Sequence, residues 1–159
     1  MKTAFILCLL SLCLSSTSHG QEGKMFTVDG LNRYDGAKFT VYRNEKSNPH
    51  SLLNDYVRTL YEDKQGRLFI GSLNGLQIYD RATASFTTIP MYLSSGASID
   101  PNIATILERN NGEILIGTSG HSMFLLETRG DSIKARQISR FISSNLITYA
   151  YEDRKGNLW

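Results

Sequence analysis

VRTLYEDKQGRLFIGSLNGLQIYD, residues 57–80, is the stretch that decides the fold. It holds three short apolar runs separated by turn residues. Asp63-Lys64-Gln65-Gly66 divides the first two, with Asp opening the turn and Gly taking a positive φ. Leu73-Asn74-Gly75 divides the second from the third. A fourth run closes the unit, which parses into strands at 57–62, 67–72, 76–80 and 85–89. LFIG at 68–71 is apolar at successive positions instead of alternating. That predicts a strand buried on both faces, as in a sheet held between two others.

The unit recurs. IATILERNNGEILIGTSGHSMFLLE occupies 103–127 and ITYAYEDRKGNLW occupies 147–159. Their turn glycines Gly66, Gly112 and Gly156 stand 46 and 44 residues apart. Upstream, GLNRYDGAKFTVY from Gly30 matches GLQIYDRATASFTTI from Gly75 at an offset of 45. Four antiparallel strands in a repeat of this period predict an all-β chain of β-propeller blades without helices. A solenoid fits four strands per repeat less well. The expected organisation is a partial first blade and connection over 21–56, blades over 57–102 and 103–146, and the start of a further blade over 147–159. A closed propeller takes about 4–8 blades, so the array reads as incomplete.

Ahead of the repeats, Lys2, the apolar run AFILCLLSLCL at 4–14, and the small residues Ser18 and Gly20 form a signal peptide over 1–20, cleaved near Gly20. The run is shorter than the roughly 20 apolar residues of a membrane span. The chain's 2 cysteines, Cys8 and Cys13, both lie in this leader, which removes disulfides, thiolate catalysis and cysteine-bound zinc from the exported protein. Leu12 is too bulky for the lipoprotein signal that Cys13 would otherwise raise. The remaining composition, 41% hydrophobic and 20% charged with 13 Gly and 3 Pro among 159 residues, excludes collagen-like, coiled-coil and disordered classes. A net charge of +2 supplies no field for nucleic acid or an anionic membrane surface.

Residues with chemical potential are few. Glu62-Asp63 and Glu152-Asp153 look like paired carboxylates, but the middle copy reads Glu108-Arg109. Neighbours on a strand also point to opposite faces, so turn and strand-end roles are expected. His50 and His121 have no partners at ligand spacing and read as solvated loop residues. No G-x-S-x-G elbow or phosphate-cradling glycine loop occurs. No catalytic, cofactor-binding or metal-ligating residue is therefore expected, and no cofactor. Phe69, Leu115 and Trp159 occupy equivalent positions and should wedge between blades; Tyr34 and Tyr79 should do the same. The long connections 43–55 and 91–101 are the ligand-facing features, because propeller loops carry function while strands carry packing.

DGLNRYDGAKFTVYRN at 29–44, LYEDKQGRLFIGSLNGLQIYD at 60–80, AYEDRKGNLW at 150–159 and, in weaker form, ILERNNGEILIGTSG at 106–120 resemble the two-component regulator propeller repeats of Bacteroidetes-type hybrid sensor kinases. The resemblance spans nearly all of the chain after the leader. It implies a non-catalytic periplasmic sensor propeller with an oligosaccharide as ligand. In that family, propellers and a β-sandwich precede a membrane helix, a histidine kinase, a receiver and often a DNA-binding module. Phosphotransfer would lie outside these residues, and the implied partners are further blades or a second protomer. KMFTVDG at 24–30 departs from the pattern, since Phe26 stands where Gly71 stands in FIGSLNG at 69–75. The leading segment is shorter than the family's and the chain stops at Trp159 inside a second strand, which reads as truncation. The alternatives are the start of an exported propeller polysaccharide lyase or glycosidase, or a truncated product without function.

Overall fold

The computed structural model describes residues 29–138 and 145–159; the expected leader and Phe26 lie outside them. Twelve strands run in chain order: β1 (Leu31–Tyr34), β2 (Phe39–Tyr42), β3 (Val57–Glu62), β4 (Leu68–Ser72), β5 (Gly75–Asp80) and β6 (Ser85–Ile89) come first. β7 (Met91–Tyr92), β8 (Ser98–Ile99), β9 (Asn102–Glu108), β10 (Ile114–Ser119), β11 (Met123–Arg129) and β12 (Ser132–Ile138) follow. Among the described residues there is no helix, and so none long and apolar enough to cross a membrane. Strands β3-β4-β5-β6 form one antiparallel four-stranded blade. A second blade, β9-β10-β11-β12, is extended at its outer edge by β7 and β8. The β1-β2 hairpin precedes the first blade, and an antiparallel bridge between Glu152 and Leu158 begins a further hairpin after the second.

The local chemistry sets these boundaries. The Asp63 carboxylate accepts the Gln65 and Arg67 amides at 3.0 and 2.8 Å, and Gly66 follows at φ +78°. Arg67 is thereby held in the turn, so β4 starts at Leu68, one residue later than its sequence predicts. Gly75 pairs with Ser72 and opens β5, leaving Leu73-Asn74 as a two-residue hairpin loop. Every residue of β4 is buried, as its unbroken apolar run requires.

Layers stack through three apolar interfaces. Leu31 and Tyr42 of the first hairpin pack on Leu52, Val57, Ile70, Tyr79 and Phe86. Phe69, Leu76 and Ile89 meet Ile103, Ile106, Ile116 and Phe124 between the blades. Leu115 and Met123 meet Ala150 and Leu158 beyond the second blade. A glycine sits at the closest approach of two of these layers. A Cβ on Gly71 would lie 2.6 Å from both Ile103 Cγ2 and Thr59 Cγ2; one on Gly117 would lie 2.6 Å from Ile147 Cγ2 and 2.7 Å from Thr105 Cγ2. The first strand of each following unit therefore lies against the backbone of the unit before it, where any side chain would force the two apart.

Candidate ligand groove at the outer blade edge

The outermost strand of a blade presents unpaired backbone groups, and the two long connections cover them. Phe86 of β6 donates its amide to the His50 carbonyl at 2.9 Å; Ala135 of β12 donates its amide to the Pro90 carbonyl at 2.9 Å. Phe86 pairs with Tyr79, and Ala135 with Leu126, the equivalent of Tyr79, so the two contacts are repeat-related. Each connection thus latches the edge of the blade it is about to enter.

Connection 43–55 is exposed over 43–50 and anchored at its end. Leu52 is buried, the Leu53 amide donates to Gln77 Oε1 at 2.7 Å, and Gln77 Nε2 donates to the Ser51 carbonyl at 3.0 Å. Asn44 donates its side-chain amide to the Leu52 carbonyl, and its backbone amide to the Asp55 carboxylate. These groups bond to the chain itself, while residues 43–50 stay exposed.

Connection 91–101 is different. Met91 anchors it in the core, β7 runs parallel to β12 with Tyr92 beside Arg136, and β8 returns antiparallel to β7 through a turn at Gly96. The hairpin is strapped down where Ser94 gives its amide and hydroxyl to Gln137 Oε1, and Gln137 Nε2 donates to the His121 carbonyl at 2.9 Å. Between hairpin and β12 lies an open groove of about 260 Å³ lined by Tyr92, Leu93, Ser94, Gly96, Lys134 and Arg136. The two cations share one face of β12 because they alternate around buried Ala135. Glu127 lies across from them on β11. Arg136 Nε donates to Glu127 Oε1 at 3.1 Å, while Lys134 Nζ stands 3.7 Å from Oε2. The Arg136 hydrogen bond, aided against burial by the charges of Arg136, Lys134 and Arg129, holds the Glu127 carboxyl below its usual range. Two cations therefore face one carboxylate. Sequence reading singled out the 91–101 connection but not Lys134 and Arg136, although their alternation around Ala135 carried the signal.

The remaining residues singled out from the sequence have structural placements. Asp63 and Asp153 cap their own turns; Asp153, held by Asn157 and by the Asn157, Trp159 and Lys155 N–H groups, falls to about 2. The glutamates reach backwards across the layer interface. Glu108 accepts the Lys64 amide at 3.3 Å and the Tyr61 hydroxyl at 3.0 Å, and Glu152 accepts the Asn110 amide and Arg109 Nε. Burial, followed by the Glu108 hydrogen bond, pushes Tyr61 up to about 12. Arg109 replaces the capping Asp of its copy, and Asn111 takes over by accepting the Glu113 amide at 3.0 Å. Among the described residues no three His, Cys, Asp or Glu side chains converge on a metal position. His50 is exposed and contributes its carbonyl; His121 is partly buried.

Phe69 and Leu115 wedge between layers as expected, whereas Trp159 is 75% exposed with its Nε1 on Asp153. Phe69 has β5 beside it, Ile78 directly opposite, and Leu115 has Leu125 of β11. Trp159 has no such strand among the described residues. Tyr79 is buried and bonded to Tyr42 and Arg33, while Tyr34, equivalent in sequence, stacks on exposed Phe39 at 4.8 Å.

Residues 51–74 match the family model described as two component regulator propeller, so the chain carries such a repeat. No curated protein matches the sequence. Among solved structures, the extracellular domain assigned to the hybrid two component system BT4673 of B. thetaiotaomicron is similar at 22% identity over 87% of this chain, with a TM-score of 0.69. That assigned to BT3049 of the same organism is similar at 22% identity over 98%, with a TM-score of 0.61. This chain covers 21% and 23% of those structures, a little over a fifth of their length. The likeness is one of fold, a stack of propeller blades.

Proposed function

We propose that the chain is a ligand-sensing propeller segment of a two-component regulator, exported to the periplasm by its leader and without catalysis of its own. The observation that carries this reading is the regulator-propeller repeat at 51–74, set in a stack that resembles extracellular domains assigned to hybrid two component systems. Blades at 57–102 and 103–146, with partial blades at 21–56 and 147–159, form the scaffold, and other blades or a second protomer flank it. The ligand is an oligosaccharide, taken up at the outer edge of the second blade. Kinase and receiver chemistry belongs to other parts of such a system.

The test is a panel of oligosaccharides added to the purified protein, followed by thermal unfolding and by chromatography of the sugars. The reading expects one glycan class to raise the melting temperature and to be recovered intact. Turnover of any glycan would overturn it in favour of a propeller lyase or glycosidase.

A further inference from the structure

The groove beside β12 has a chemistry that narrows the ligand. Tyr92 of the hairpin stands beside Arg136 in register, and Lys134 completes the lining from β12. These two cations outnumber the single Glu127 carboxylate they face. Arg136 is committed to that carboxylate by both Nε and Nη2, but Lys134 Nζ at 3.7 Å makes only a long ion pair and stays half exposed. Its ammonium carries three donors, none of them saturated by Glu127 at that distance. An excess of positive charge beside a tyrosine ring matches a ligand with a flat apolar surface and an attached anion.

We infer that the groove between the β7-β8 hairpin and β12 binds an acidic saccharide, with Lys134 and Arg136 receiving its carboxylate or sulfate and Tyr92 carrying a sugar face. This rests on the saccharide-sensing reading and adds the charge of the ligand and its position. Lys134 makes the direct contact, and Arg136 supplies a second charge while retaining Glu127.

The test is an NMR titration of the labelled protein with digalacturonate, with its neutral counterpart galactobiose, and with inorganic sulfate. The inference expects digalacturonate to shift the amide signals of Tyr92, Gly96 and Lys134, and galactobiose to leave them in place. Lys134→Gln should weaken digalacturonate binding about tenfold, the loss of one charge-assisted hydrogen bond. Tyr92→Ala should weaken it as well while leaving sulfate binding unchanged. Lys134 projects from the surface, so an unaltered melting temperature will show that its variant folds. Equal response to galactobiose would overturn the inference and leave the sensor reading standing. Sulfate binding as tight as digalacturonate would overturn the saccharide assignment. If none of the three moves these signals, the groove is no anionic site and the inference falls, while the oligosaccharide panel still judges the sensor reading separately.

Discussion

Gly71 and Gly117 leave no room for a side chain. Neither takes a positive φ, so their requirement is one of space: a methyl group would press on an isoleucine of the next unit and a threonine of its own blade. Gly71→Ala should destabilise the protein by about 1–3 kcal/mol, the range for overpacking a filled interior, as read from urea unfolding. Pairing it with Thr59→Ser, which removes the clashing Cγ2 methyl, should recover part of that loss. Glu108 supplies a second test. Burial pushes its carboxyl upward, but the Lys64 side chain and amide and the Tyr61 hydroxyl outweigh that and hold it below 4.5. A folded-state value below the unfolded one means the carboxylate stabilises the fold above the unfolded value, and that contribution disappears as pH falls through the folded one. Glu108→Gln should therefore be less stable at pH 7 and show a shallower loss of stability on acidification below about pH 4.5. Urea midpoints taken between pH 3 and 7 would reveal it; parallel curves for the two proteins would mean the carboxylate is not coupled to folding.

The strands show what a sequence can and cannot announce. The run from Val57 to Asp80 marked its own strands because apolar periodicity and Asp, Asn and Gly turn chemistry are side-chain properties. The same logic identified the buried strand at LFIG and the interblade place of Phe69. The latches escaped notice because their working groups are the carbonyls of His50 and Pro90, and a backbone carbonyl leaves no mark in composition. Connection 43–55 concealed its internal bonding for a related reason. Its Asn, Ser and Asp look solvated in a linear reading, yet they satisfy one another and the chain around them. The groove lay hidden in two residues, Lys134 and Arg136, whose meaning depends on a hairpin more than thirty positions earlier. Hydrogen exchange addresses the latches directly. Phe86 and Ala135 lie on outermost blade strands, where outward amides ordinarily exchange quickly, yet both should be protected to the level of the inner strands. Replacing 92–99 with a Gly/Ser linker should speed exchange at Ala135 and leave Phe86 unchanged.

The assembled layers leave apolar surface in two places. Phe39 and Val41 point outward from the first hairpin, and Leu146, Tyr149, Tyr151 and Trp159 from the last described segment. Contiguous apolar faces of this kind promote association. The chain should show a mass that rises with concentration in sedimentation velocity. A variant carrying Phe39→Ser, Tyr151→Ser and Trp159→Ser should stay at the monomer mass, and an unchanged concentration dependence would place the sticky surface elsewhere. Between these faces, two junctions share one design: a missing side chain on one layer and an isoleucine on the next, at Gly71 with Ile103 and again at Gly117 with Ile147. A key cut to a common pattern opens every lock of that pattern. Any copy of the unit can thus sit beside any other without a new fit being invented, so a gene built this way can gain or lose whole units by recombination and still encode junctions that close.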